Sequence, residues 1–212
     1  MNATERTVHI VDDDTSFRAA TSRLLRASGF AVRSFASAME FLERRDADAP
    51  GCVLADVRMP GMSGLELQAV LARSPNPLPI LFLTGHGDIP STVRAMRDGA
   101  EDFLEKCAPA AQLIGALARA LDRDARDRAA RARHHDLRAR FDTLTTRERE
   151  VLGHVVRGRL NKQIARALDI HERTVKLHRS AITTKLRVHS VAELTRLTDE
   201  AGLVTLPAPP FP

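Results

Sequence analysis

Short apolar runs alternate with amphipathic stretches through the first half of the chain. The runs TVHIV (7–11), AVRSF (31–35), CVLAD (52–56), PILFLT (79–84) and DFLE (102–105) are rich in aliphatic and β-branched residues and predict strands. Between them, apolar positions recur at helical spacing over 15–28, 37–45, 63–73 and 90–98, and a further helix begins near Pro109. Gly29 and Gly99 follow helical patterns, as C-terminal caps do. Pro90 suits a first helical turn. This alternation predicts an α/β domain, doubly wound around a five-stranded parallel sheet. In that architecture ligands gather at the carboxyl ends of strands. Asp12–Asp14, Asp56, Thr84 and Lys106 all fall at such ends.

The pattern then changes. Residues 116–140 lack Gly and Pro, are rich in Ala, and set opposite charges four apart, as in Asp122/Arg126, Asp124/Arg128 and Asp127/Arg131. Each such pair adds only ~0.2–0.5 kcal/mol to a helix. Beyond Leu121 the apolar stripe fades to alanine, which predicts a mostly exposed linker helix continuing the last helix of the first domain. From Thr143 onward every element is helical. TTRE (145–148) is a capping box. NKQIARAL (161–168) is a short helix, DIH (169–171) a tight turn, ERTVKLHRSAITTKL (172–186) a longer helix, and 190–202 closes a bundle. The boundaries expected are 1–122, a linker over 123–142, and 143–205, followed by a disordered tail, LPAPPFP (206–212).

Charge sharpens the division. Residues 1–122 carry 13 basic and 16 acidic side chains, while 123–212 carry 19 and 11. A second half with a net charge of +8 fits a polyanionic partner, or simply an Arg-rich solvated surface. No apolar run approaches the ~20 residues of a membrane span, and no secretory signal opens the chain. Cys52 and Cys107 match no disulfide or zinc spacing, so both are expected reduced in a cytoplasmic protein.

The chemistry lies at the strand ends. The run VDDD (11–14) sets three carboxylates side by side, a repulsive arrangement on its own. Two carboxylates there and Asp56 at a neighbouring strand end can share Mg²⁺, which takes oxygen ligands and keeps several waters. A cation so held neutralises phosphoryl oxygens, and a carboxylate can itself become an aspartyl-phosphate. The chain has four lysines among 32 basic residues, and Lys106 is the only one before Lys162. An ammonium at that point suits a point charge on a phosphoryl oxygen, although a lone surface lysine after an edge strand would carry no such meaning.

Taken in order, HIVDDD, LADVRMPGMSGLEL, FLTGHGDIPSTVRAM and GAEDFLEK resemble the successive motifs of a bacterial response-regulator receiver domain. LTTREREVLGHVVRGRLNKQIARALDIHERTVKLHR resembles the LuxR-type helix-turn-helix of the FixJ/NarL group. The resemblance implies a flavodoxin-like strand order 2-1-3-4-5 joined to an all-α DNA-binding domain. It makes Asp56 the phosphoacceptor. It places Mg²⁺ on Asp12, Asp13, Asp56 and the Arg58 backbone carbonyl, and gives Asp14 no metal role. Lys106 pairs with a phosphoryl oxygen, Thr84 donates its hydroxyl to that group, and Phe103 stands where a switch aromatic follows Thr84 inward, although an aromatic on a strand is also ordinary core. Cys107 departs from the family's usual proline, so a trans peptide is expected before it.

On the 172–186 helix, Val175, Ile182 and Leu186 recur at helical spacing and should face the bundle, with His178 near that seam as a structural residue. The opposite face presents Thr174, Lys176, Leu177, Arg179, Ser180 and Thr183, groups suited to a major groove. By resemblance Lys176, Leu177 and Ser180 align with base-contacting positions. Arg173, Arg179, Asn161, Lys162 and Lys185 suit DNA phosphates. His171 stands where Ser commonly caps this helix, so a weaker cap is expected. The implied protein is a transcription regulator and not an enzyme. Its partners would be a sensor histidine kinase, a pseudo-palindromic DNA site, RNA polymerase and, when phosphorylated, a second copy of itself. Two other classes fare worse. An aspartyl-phosphate hydrolase wants an acid at position 58, which is Arg, and no G-x-G-x-x-G follows the first strand to bind a dinucleotide.

Overall fold

A computed structural model describes residues 6–85 and 89–202. The chain divides into two compact units after Arg128. In the first, strands β1 (Thr7–Val11), β2 (Ala31–Phe35), β3 (Gly51–Ala55), β4 (Ile80–Thr84) and β5 (Asp102–Glu105) form one sheet in the order β2-β1-β3-β4-β5. All four pairings are parallel. The five expected strands are all present, with starts or ends moved by at most one residue.

The sheet is buried on both faces because its central strands are mostly apolar, with His9 on β1 and Thr84 on β4 as buried polar exceptions. Successive side chains point to opposite sides. Val8, Ile10, Cys52, Leu54, Leu81 and Leu83 therefore pack in one core with Leu25 and Leu117. Val11, Val53, Ala55, Ile80 and Phe82 pack in a second core with Phe35, Phe41 and Leu67. The helices covering them are α1 (Thr15–Ala27), α2 (Ala38–Arg44), α3 (Gly64–Ala72), α4 (Ile89–Arg97) and α5 (Ala110–Asp142). Local chemistry sets their starts: Asp14, Ser37 and Ser63 each cap a helix through the side-chain oxygen, and Glu66 completes a capping box with Ser63. Gly29 and Gly99 have positive φ, as expected of C-terminal caps.

Helix α5 runs unbroken for 33 residues, and the linker is mostly exposed as expected but is anchored by buried side chains in two places. Asp124 is 2% exposed. Its carboxylate accepts the Gly51 N–H at 2.9 Å and the Arg128 guanidinium at 2.8 Å, while Arg128 also donates to the carbonyls of Asp48 and Ala49. Asp124/Arg128 is thus a buried clasp rather than a solvated i,i+4 pair. Further along, Leu137 and Phe141 are buried in the core of the second unit. The fade to alanine hid these anchors, because one large side chain every several residues is enough to bury a helix stripe.

The second unit is all helical, with α6 (Thr146–Val156), α7 (Asn161–Leu168), α8 (Glu172–Leu186) and α9 (Val191–Glu200) around Val151, Leu152, Val155, Ile164, Val175, Ile182, Leu186 and Leu194. The Thr145–Glu148 capping box forms as the sequence predicts. Helices α7 and α8 end on Asp169 and Arg187 in the left-handed region, at φ 51° and 54°. The expected tail, 206–212, lies outside the described residues.

Candidate functional site

Three strands deliver the acidic site. β1 ends at Val11 and releases Asp12 and Asp13, β3 ends at Ala55 and releases Asp56, and β5 ends at Glu105 and releases Lys106. Because β1 and β3 are adjacent and in register from Thr7↔Gly51 to Val11↔Ala55, their carboxylates emerge side by side. Oxygens of Asp12, Asp13 and Asp56 lie within 4.8 Å of one another. An all-oxygen donor set of this size and charge fits Mg²⁺. The Lys106 ammonium sits 2.6 Å from Asp12 and 2.7 Å from Asp56. Burial alone would lower the Lys106 pKa, but its hydrogen bonds and the charges of the two carboxylates raise it above the usual value. Burial pushes the Asp12 carboxyl up, and the Lys106 ammonium pulls against that shift.

The remaining expected groups surround this cluster. Thr84, 2% exposed, ends β4, and its carbonyl accepts the Lys106 N–H at 2.8 Å. Phe103 pairs with Phe82 in the ladder, with ring centroids 5.9 Å apart, and is half-buried against the Phe82 core. The Arg58 N–H reaches Asp56 Oδ1 at 3.3 Å, and the Arg58 side chain is exposed. Cys107 is exposed, with its sulfur 3.3 Å from Glu105, whose hydrogen bond and charge raise the thiol pKa. The described residues contain no cis peptide, so the bond before Cys107 is trans. His86 and Gly87 of the TGHG motif lie outside the described residues.

On the second unit, Val175, Ile182 and Leu186 of α8 face the core as expected. Arg173, Lys176 and Ser180 are exposed, Leu177 is 65% exposed, and Thr174 and His178 are half-buried. His171 makes no side-chain capping bond, as the substitution for Ser predicts. Lys162 is exposed at the start of α7. Asn161 is held by Arg179, whose Nη1 donates to the amide oxygen at 2.9 Å, so these two lie together between α7 and α8. Lys185 stands apart from the other expected DNA contacts. Its ammonium is 2.7 Å from buried Glu148 and 3.1 Å from the Thr143 carbonyl. The structure therefore uses it inside the fold, where it offsets the charge of a carboxylate that also serves the α6 cap.

Residues 8–118 match the model of the response regulator receiver domain, and residues 142–198 match bacterial regulatory proteins of the luxR family. The chain belongs to the FixJ/NarL group of response regulators. It is 42% identical over 201 residues to nodulation protein W of Bradyrhizobium diazoefficiens, covering 95% of this chain and 88% of that one. It is 43% identical over 199 residues to the response regulator protein TmoT of Ectopseudomonas mendocina, covering 94% and 90%. Among solved structures, response regulator StyR aligns with a TM-score of 0.85 at 47% identity, covering 92% of this chain and 99% of that one. As a response regulator with a LuxR-type domain, the protein is a phosphorylation-dependent transcription regulator that receives phosphate from a kinase and binds DNA. No helix among the described residues is long and apolar enough to cross a membrane.

Two residues beside the acidic cluster, Gly64 and Phe17, escaped the sequence reading. Gly64 opens α3 so close to the loop after β3 that a Cβ there would lie 2.2 Å from the Asp56 carbonyl oxygen and 3.0 Å from the Phe82 ring. The sequence shows the glycine but not its need, because the atoms it approaches belong to Asp56 and Phe82 on other elements. Asp14, expected to have no metal role, accepts the N–H groups of Ser16 and Phe17 and caps α1. The Phe17 ring lies 4.4 Å from Lys106 Nζ.

Proposed function

We propose that Asp56 is the group phosphorylated by the regulator's sensor histidine kinase. The observation that carries the reading is the meeting of Asp12, Asp13, Asp56 and Lys106 at the ends of three strands. An Asp56 carboxylate oxygen attacks phosphorus, the P–N bond of the kinase phosphohistidine breaks, and its imidazole leaves with the electron pair. A mixed anhydride results. Asp12, Asp13, Asp56 and the Arg58 carbonyl hold Mg²⁺, which when bound supplies charge neutralisation at the phosphoryl oxygens. Lys106 gives up its contact with Asp56 and takes a phosphoryl oxygen, and the Thr84 hydroxyl donates to another. Phe103 fills the space Thr84 leaves. The regulator turns over no external substrate beyond this self-directed transfer and its reversal by water.

The output half reads DNA through Lys176, Leu177 and Ser180. Arg173, Thr174, Lys162 and the Asn161–Arg179 pair meet phosphates. In the cytoplasm, two phosphorylated copies would occupy a pseudo-palindromic site and meet RNA polymerase there. Receiver dimerisation through α4 and β5 is supported by the exposure of Val93 and Met96 beside Arg97. The neighbouring acids Glu101 and Asp102 pair within the unit, with Arg123 at 3.0 Å and Arg119 at 2.9 Å. The decisive test incubates the full chain with Mg²⁺ and acetyl phosphate. Incorporation of one base-labile phosphoryl group is expected, abolished in Asp56→Asn; label retained by that variant overturns the assignment. Asp13→Ala should raise the Mg²⁺ concentration needed for half-maximal incorporation.

A further inference from the structure

We infer that Phe17, set in place by Asp14, is a positioning residue for Lys106 during phosphoryl transfer; this rests on Asp56 being the phosphoacceptor. The third carboxylate of VDDD has no place in the metal cluster. Its work is local: it accepts the Ser16 N–H at 2.8 Å and the Phe17 N–H at 3.0 Å, which locks the first turn of α1. That turn lays the half-buried Phe17 against the Leu83 core and puts the Lys106 ammonium over its ring face, 4.4 Å from the centroid. A cation over an aromatic face is attracted by the ring quadrupole.

The reaction changes the other neighbours of Lys106. Its ammonium is otherwise fixed by Asp12 at 2.6 Å and Asp56 at 2.7 Å. Acylphosphate formation moves the negative charge from the Asp56 carboxylate onto the phosphoryl oxygens, and Asp12 would serve the cation when it is bound. The ammonium ends a flexible four-carbon stem, carried on a turn whose next residue, Cys107, is exposed. The Phe17 ring is the neighbour whose charge and position the chemistry leaves unaltered. It keeps Lys106 near the path of the phosphoryl group when both carboxylates release it. The acidic triplet is thereby divided: Asp12 and Asp13 serve the cation, while Asp14 serves the lysine through Phe17.

The test uses the full chain with acetyl phosphate and saturating Mg²⁺, following phosphoryl incorporation by intact mass. Phe17→Leu keeps an apolar side chain against the Leu83 core but removes the quadrupole. It should slow incorporation about fivefold, with Phe17→Tyr within about twofold of wild type. Asp14→Ala should slow it about threefold and Asp14→Asn, which still caps, by less than twofold. Wild-type speed in Phe17→Leu overturns the inference, as does a Tyr variant as slow as Leu. Asp14→Asn as slow as Asp14→Ala overturns the part assigned to Asp14, since charge and not capping would then matter. Should Phe17→Leu fail to fold, the Asp14 pair decides. Equal labelling of wild type and Asp56→Asn overturns the phosphoacceptor reading and this inference together. Labelling of wild type alone with an unaffected Phe17→Leu overturns only this inference.

Discussion

At the carboxyl edge of the sheet the Lys106 side chain is 19% exposed and its ammonium is held by Asp12 and Asp56 at 2.6 and 2.7 Å, whereas on α8 Lys176 is exposed and Leu177 is 65% exposed. On the proposed function, the two regions treat charge in opposite ways because they meet different partners. A phosphoryl group is small and always the same, so its site can be assembled in advance, and a group held in place need not be ordered at the moment of reaction. DNA is a long polyanion whose contacts replace released counterions, so the groups that meet it gain by staying solvated and reachable until it arrives. Arg179 lies between the extremes, half-buried and tied to Asn161 at 2.9 Å, which orients it without removing it from the surface.

If the first region depends on a fixed frame, the frame should be the easiest thing to break. Gly64→Ala drives a Cβ to 2.2 Å from the Asp56 carbonyl oxygen, and backbone cannot yield as a flexible side chain would. A loss of about 3 kcal/mol or more is expected; an unchanged urea midpoint for the first unit would show that the α3 start is not packed this tightly.

The same frame contains a buried titratable group. His9 is 2% exposed on β1, packed against Phe35 and Phe41, and burial together with the charges of Arg33 and Arg45 lowers its pKa from 6.5 to about 4. Between those values the unfolded chain binds the proton and the folded chain does not. Stability is therefore intact above pH 6.5 and falls as pH drops toward 4, by about 3 kcal/mol across the window. Hydrogen exchange of β1 and β3 amides, corrected for intrinsic rate, should report the decline, and His9→Leu should flatten it. A pH-independent wild type would contradict the buried neutral imidazole.

The exposed region predicts smaller and more separable effects. Lys176→Ala should cost about 1–3 kcal/mol on the preferred DNA sequence and narrow the gap to other sequences, while Arg173→Ala should weaken all sequences alike and reduce the salt slope by about one. Salt titrations on specific and scrambled duplexes separate the two; the reverse pattern would exchange their roles. Smallest of all is Lys185→Met. It should leave the salt slope for DNA unchanged and lower the stability of the second unit by about 1 kcal/mol through unpaired Glu148. A reduced slope would return Lys185 to the DNA surface.

The sequence alone determined the alternation of elements, the strand ends on which Asp12, Asp13, Asp56 and Lys106 stand, and the Thr145–Glu148 cap, because these depend on neighbours a few positions away. Its periodicity also separated the buried face of α8 from the face carrying Lys176 and Leu177. Only tertiary structure decided what those side chains touch. Lys106 meets an aspartate fifty residues away, Arg128 reaches carbonyls about eighty away, and Gly51 donates to a carboxylate on α5. Asp124 looked like any other acid in an exposed helix until its burial appeared. Helix ends at Asp169 and Arg187 carry no glycine to announce them. A one-dimensional pattern records which face of an element is apolar. The partner that face or side chain meets is set by close packing between elements, where a shift of one ångström changes the neighbour and no local residue preference encodes the outcome.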